Sequence, residues 1–363
     1  MRGFFRRYDL KNVLKIVMVI IGTLIGAGFA SGREIYLFFM RYGFLGQIGI
    51  IISSVLTGII VYKTLDKTIK YQITDYNELL KIINPNHKKI NILMSWIVNI
   101  FLLISFYIMV AGFSAYVNQT YQIPNIVSSI FFVLVCYFIF LKSLKGMMKV
   151  NEILVPILII FIVYLGIKNI PYLWQTDAKI YIDTLNKGWL ISAIFYSSYN
   201  SIILIPVLAT LKECINNRKQ VLLTSIFSST FILVLSFFIY GLLLKGQFYV
   251  KELELPLIQV TLEFGNAFKY LYGFIIIISI FTSAISTGYS FLKNISKSKK
   301  SYKSILVLMC VTSIIISPIG FSKLVEILYP IFGFLGLIPI IYLLNFKVKS
   351  INNLKLLEKN LKN

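Results

Sequence analysis

Residues Ile21–Ile35 read IGTLIGAGFASGREI. The stretch lies inside a long apolar run of the kind that crosses a bilayer as one helix. Yet it carries Gly22, Gly26, Gly28 and Gly32 and ends on the charged pair Arg33 and Glu34. Glycine costs a helix interior about 1 kcal/mol relative to alanine, so four of them need a reason. One reason is close helix packing, because Gly22-x-x-x-Gly26 and Gly28-x-x-x-Gly32 both have small-residue spacing. The other is a break in the helix. Non-helical backbone survives at membrane depth only where it lines a cavity or is buried in protein. There, free amides attract an anion, free carbonyls attract a cation, and glycine lets a ligand approach the backbone.

The surrounding chain is a membrane chain. It has 363 residues, 58% of them hydrophobic and only 14% charged, with a mean hydropathy of +0.81. Apolar runs of about 20 residues, enough to span a bilayer, recur along nearly its whole length. A β-barrel would show short alternating strands instead. The net charge of +22 does not point to nucleic acid, because the basic residues fall in short segments between spans. Cys136, Cys214 and Cys310 are isolated, which argues against a disulfide framework. The basic N-terminal stretch leads into a span too long for a cleaved signal.

Ten spans are expected, at 12–40, 44–63, 91–117, 124–142, 147–168, 187–211, 219–244, 264–292, 303–320 and 322–346. With the N-terminus inside, the inner segments hold 27 of the 36 Lys and Arg residues. That asymmetry predicts a multi-pass cell-membrane protein with both termini cytoplasmic. The connection from Thr64 to Lys89 is expected to carry a short surface helix, N-capped by Asp75 with Glu78 three residues on and stopped by Pro85. The segment around GQFYVKELELPLIQVTLEFG is expected to fold partly as a hairpin over the outer surface.

Three further features favour the break over packing. Span six places Tyr196, Ser197, Ser198, Tyr199, Asn200 and Ser201 together in an apolar stretch. Ten spans divide into two sets of five with opposite orientation, and interrupted segments at matching positions of inverted halves point to a transporter's central site. Span eight carries Ser283, Ser286, Thr287 and Ser290 on one broad helical face. Their hydroxyls suit a hard cation, or they bond back to their own helix. Span five holds Gly146 and Pro156, and the proline loosens the turn before it.

These residues resemble the YkvI-type bacterial membrane proteins. GTLIGAGFASGREIYLFF is similar to the opening helix of that family, which is placed among amino acid permeases of the amino acid–polyamine–organocation superfamily. The resemblance implies an all-α integral membrane fold of the LeuT type. That fold has ten transmembrane helices in a 5+5 inverted repeat, with helices 1 and 6 interrupted. Residues 1–363 would form one transporter domain, with repeats at 12–168 and 187–346 and a cytoplasmic tail at 347–363. The resemblance further implies that Gly26, Ala27 and Gly28 hold a substrate carboxylate. A sodium ion would be held by the carbonyls of Gly22 and Ile25 with Ser283, Ser286 and Thr287. Gly146 and Pro156 would loosen span five. Phe29 stands where symporters with a second sodium place an asparagine, and Lys149 is the candidate for the lysine that proton-coupled relatives use.

Other residues are candidates on their chemistry. Tyr107, Phe113 and Tyr116 either wall a substrate cavity or simply pack. Arg33, Glu34, Lys323 and Glu326 either form an outer gate of ion pairs or anchor at the interface. Glu152 lies within a turn of Lys149, where the two can neutralise each other.

The expected activity is secondary transport of an amino acid or similar small zwitterion by alternating access, coupled to sodium or protons. The partners would be that small solute and membrane lipids. The alternative is a receptor of the same fold that binds without moving its ligand. An enzyme is disfavoured, because the only histidine, His87, lies in a loop and no metal-ligand or deep acidic pair occurs. A channel is disfavoured by the absence of a filter sequence or charged ring.

Overall fold

The computed structural model describes residues 7–345, apart from 86, 142–146, 174–186, 216, 247–248, 250–251 and 297. All regular structure among them is helical. In chain order the helices are α1 (Arg7–Leu24), α2 (Ala27–Ala30), α3 (Arg33–Phe38), α4 (Gly43–Lys70) and α5 (Tyr76–Ile83). Next come α6 (Lys88–Tyr121), α7 (Asn125–Phe140), α8 (Met147–Leu173), α9 (Trp189–Ala209) and α10 (Arg218–Lys245). The last are α11 (Pro256–Leu262), α12 (Asn266–Ile295), α13 (Lys299–Ile316) and α14 (Phe321–Asn345). Among the described residues, seven helical segments are long and apolar enough to cross a membrane, and three shorter apolar helices accompany them.

The position of each helix follows from its apolar pattern. In α1, Val13, Ile16, Val17, Ile20 and Ile21 recur at helical spacing and are all buried. That stripe packs α1 against α8, α9 and α10, while α2 and α3 lie among α9, α10, α12 and α14. The glycine-rich segment is thus at the centre of the bundle. At the periphery the pattern inverts. Ile126, Val127, Ile130, Phe131, Leu134 and Phe138 of α7 are exposed, as are Val307, Leu308, Val311 and Ile315 of α13. Apolar faces this large are unsuited to water and suited to lipid.

The Asp75 cap is found: its carboxylate accepts the Glu78 amide at 2.9 Å and opens α5. Glu78 in turn accepts from the Thr74 amide at 2.8 Å, completing a reciprocal cap. The connection before it is shorter than expected, because α4 continues helical to Lys70.

Two expectations are corrected. Span six is not interrupted: α9 runs unbroken from Trp189 to Ala209, with Pro206 inside its last turn. Three of its polar side chains find acceptors without unwinding. Asn200 donates to the Tyr196 carbonyl at 3.0 Å, Ser201 donates to Ser198 at 2.6 Å, and Ser197 donates to the Ser53 carbonyl of α4 at 2.9 Å. Side chains that can bond to backbone remove the cost that would force a break. The segment after α10 forms no hairpin among its described residues. Pro256–Leu262 within it form α11, whose Pro256 is preset for the first helical position. Leu257 there donates its amide to the Ser31 carbonyl at 3.4 Å.

Candidate functional site

The first membrane segment is broken where the glycines predict. The last regular bond of α1 runs from the Ile25 amide to Ile21 at 2.8 Å. Gly26 is then extended, with φ −96° and ψ −173°. Its amide turns to the Leu24 carbonyl at 3.1 Å and so does not serve Gly22. The helix restarts as α2, and Gly32 adopts a left-handed φ of +83° that redirects the chain into α3. Neighbours satisfy the exposed backbone. The Ser31 hydroxyl donates to the Gly28 carbonyl at 3.0 Å, and the Tyr272 hydroxyl donates to the Ala30 carbonyl. At the end of α3, the Ser192 hydroxyl donates to Phe38 at 2.8 Å. Backbone groups at this depth need such partners, since each orphan costs several kcal/mol.

Glu34 completes the turn. Its carboxylate folds back against Gly28, so close that a β-carbon there would collide with it. It accepts hydrogen bonds from the Tyr199 hydroxyl and from the Phe29 amide. The Phe29 amide would serve the Ile25 carbonyl in an unbroken helix. The break therefore frees the carbonyls of both Gly22 and Ile25, the pair that the resemblance assigns to a sodium ion. Peptide carbonyls are suitable ligands for that cation.

Tyr199 brings the rest of the site from α9. Its ring stacks on Phe38 at 5.4 Å and on Tyr329 at 4.7 Å, and Tyr196 meets it edge-on at 5.6 Å. Phe29, Tyr196, Tyr199 and Tyr329 are all buried. Ser198 is fully buried beside Gly336, and its hydroxyl has no partner among the described residues. Beside Gly26 the space is open: a β-carbon there would meet no atom within 4 Å. The structure thus brings Gly26, Ala27, Gly28, Phe29 and Glu34 together with Tyr199 and its neighbour Tyr196 on α9.

Other candidates lie elsewhere. Tyr107 bonds Thr312 of α13 at 2.6 Å. On α12, Thr287 donates back to the Ser283 carbonyl at 2.8 Å and Ser286 is exposed. That helix packs against α2. Of the four gate candidates, Arg33 pairs with Glu326 at 3.5 Å, Glu34 points inward to Tyr199, and Lys323 is exposed. Gly146 and the side chains of Lys149 and Glu152 lie outside the described residues. Sequence reasoning missed Tyr329, one of several aromatic residues on its helix. It also missed the Glu34–Tyr199 contact, which joins positions 165 residues apart. The available signal was a carboxylate at membrane depth, which is costly without a role.

No protein-family model matches the chain. It is 26% identical over 333 residues to the uncharacterised membrane protein YkvI of Bacillus subtilis strain 168, covering 89% of this chain and 92% of that protein. It is also 26% identical over 355 residues to YyaD of the same organism, covering 93% and 97%. Among solved structures it is similar to Mhp1 in an inward-facing conformation, with a TM-score of 0.62 at 9% identity over 89% of this chain and 73% of that one. A mutant Eremococcus coleocola manganese transporter gives a TM-score of 0.58 at 13% identity, over 90% and 77%. MhsT in complex with L-phenylalanine gives 0.55 at 15% identity, over 90% and 85%. The likeness to the YkvI-type proteins read from the first helix thus extends over nearly the whole chain, and the fold is the LeuT-type fold of these transporters.

Proposed function

We propose that this chain is a secondary transporter of a small solute carrying an amino group, working by alternating access around the break at Gly26. One observation carries the reading. A single central segment presents freed carbonyls at Gly22 and Ile25, open space at Gly26 and a buried carboxylate at Glu34. Such irregular backbone is costly in a membrane, and its established use is to grip a solute and a coupling ion. The likeness to the manganese transporter, Mhp1 and MhsT adds support at the level of fold.

The amino acid expected from the resemblance is one member of this solute class, and the L-phenylalanine bound by MhsT is an example of it. Sodium is the coupling ion this arrangement suits. The Gly22 and Ile25 carbonyls would hold it, with Ser286 and Thr287 of α12 as the hydroxyl side. The seven long and three shorter apolar helices fit ten spans arranged as a 5+5 repeat. The basic inner segments favour cytoplasmic termini.

The test is uptake of radiolabelled amino acids and amines by proteoliposomes holding the purified protein, with and without an inward sodium gradient. Accumulation that collapses with the gradient is the expected result. Binding without accumulation would identify a receptor instead.

A further inference from the structure

Helices α4 and α10 meet along a floor of small residues. A β-carbon on Gly58 would lie 3.0 Å from the Ser229 Cβ and 3.5 Å from the Ser225 carbonyl oxygen, so the two backbones approach closely there. The Ser229 hydroxyl pins the contact by donating to the Ser54 carbonyl at 2.8 Å. The flanking side chains are large. Val55 and Ile59 of α4 and Leu222 and Ile226 of α10 are 40% to 52% exposed, and they wall an open groove of about 420 Å³.

The floor asks for no polar ligand. The hydroxyls of Ser225, Ser229 and Thr230 already donate to backbone carbonyls at 2.8, 2.8 and 2.9 Å. An apolar occupant therefore strands no donor there. Lys63 follows Val55 by eight positions of α4, which is about 12 Å of helix. That is close to the ~15 Å of hydrocarbon in one leaflet. Over that length, 420 Å³ gives a cross-section of about 35 Å². A helix about 10 Å across needs about 80 Å², so a helix from a second copy does not fit. A single hydrocarbon chain is narrower and does.

One end of the groove is basic. Lys63 lines it and is exposed. Arg218 and Lys219 open α10 one turn before Leu222, on its face by four- and three-residue spacing. Arg218 pairs through Nε with Asp66 at 3.0 Å, and its side chain remains 71% exposed. The end of α4 adds Lys70, which is exposed, and Lys67, which is largely buried. Five cations thus stand against the one carboxylate of Asp66, and the turn before α10 adds one charge of each sign, Lys212 and Glu213. The lining residues of the other end, Val55 and Thr230, are uncharged.

The geometry points to an anionic phospholipid in the α4–α10 groove, with one acyl chain along Gly58 and Ser229 and its phosphate at Lys63, Arg218 and Lys219. Basic pockets between membrane helices recognise anionic headgroups by this combination of charge and depth. The lipid bridges α4 and α10 on the outside of their contact and takes no part in the break at Gly26. The inference goes beyond the transport reading and does not depend on it.

Delipidated full-length protein in detergent tests this. It is titrated with phosphatidylglycerol and with phosphatidylcholine of the same acyl chains, and bound lipid is counted by native mass spectrometry. Phosphatidylglycerol is expected to bind tighter by about fivefold or more, and Lys63→Gln should reduce that preference by about fivefold, the attraction of one cation near an anionic headgroup. Ile226→Trp, which fills the groove from an exposed wall position, should weaken phosphatidylglycerol as well. Glycerol phosphate, a headgroup without chains, and inorganic phosphate should not bind. Phosphatidylglycerol with a photoreactive acyl chain should label α4 between Val55 and Lys63 or α10 between Leu222 and Thr230.

Equal binding of the two lipids overturns the inference, as does a preference unchanged in both folded variants. Labelling confined to other helices overturns it too, and that experiment needs no variant, so the test stands if a substitution prevents folding. Binding of glycerol phosphate or inorganic phosphate as tight as that of the lipid would show an anion site with no use for the groove. A dimer whose contact runs through these residues and excludes lipid would overturn it in favour of a second copy.

Discussion

The first membrane segment and α9 both carry a helix-disfavouring centre, and only one of them breaks. Between Gly22 and Gly32 the weak residues are glycines, which have nothing to offer a stranded peptide group. In α9 they are Ser197, Ser198, Asn200 and Ser201, three of which donate to carbonyls within their own helix or on α4. Low helix propensity by itself therefore does not unwind a membrane helix. The helix opens where outside partners take over the freed groups. Around Gly26 those partners are the Glu34 carboxylate on the Phe29 amide, and Tyr272 and Ser31 on the carbonyls of α2.

The sharpest way to break this contrast is Gly28→Leu. Its side chain would occupy the place of the Glu34 carboxylate. Overpacking of that kind costs about 1–3 kcal/mol, and here it would also displace Glu34 from Tyr199. A marked fall in the melting midpoint of the purified protein is expected, with membrane insertion retained. An unchanged midpoint would mean that the carboxylate does not rest on Gly28.

A smaller effect is expected on the other side of the comparison. Ser197→Ala removes the buried bond from α9 to the Ser53 carbonyl and should cost about 1 kcal/mol, read from the same melting experiment. A loss several times larger would show that α9 depends on its polar centre more than its continuity suggests.

Gly26→Ala should have the smallest effect. The φ of −96° is ordinary for alanine and the space is open, so a change of no more than about 1 kcal/mol is expected. The two glycines of one motif thus have opposite tolerances, and a large loss from Gly26→Ala would place a wall where the structure has space.

The break itself was legible in the sequence, because four glycines in one membrane segment have few uses and Arg33 with Glu34 marks its end. The Asp75 cap was legible too, since its partners lie within three residues. Span six was misread for a physical reason. A polar residue in a helix shows its cost in the sequence but not the acceptor that offsets it, and Ser53 is 144 residues from Ser197. The same limit hid the Glu34–Tyr199 pair. It also concealed that a glycine segment expected to receive a solute's carboxylate is met by one from the chain itself. The expected hairpin covered a stretch that includes Pro256, and a proline preset for the first turn of a helix opens α11 there.

Amide hydrogen exchange in lipid nanodiscs, resolved by peptide, tests the contrast most directly. Free amides exchange from local openings of low cost, whereas helical amides in a packed core wait for larger ones. Exchange in the Gly26–Gly28 peptide should exceed that in the Tyr196–Ser201 peptide by more than about tenfold. Equal protection of the two would contradict a first segment that is open at Gly26 and a sixth that is not.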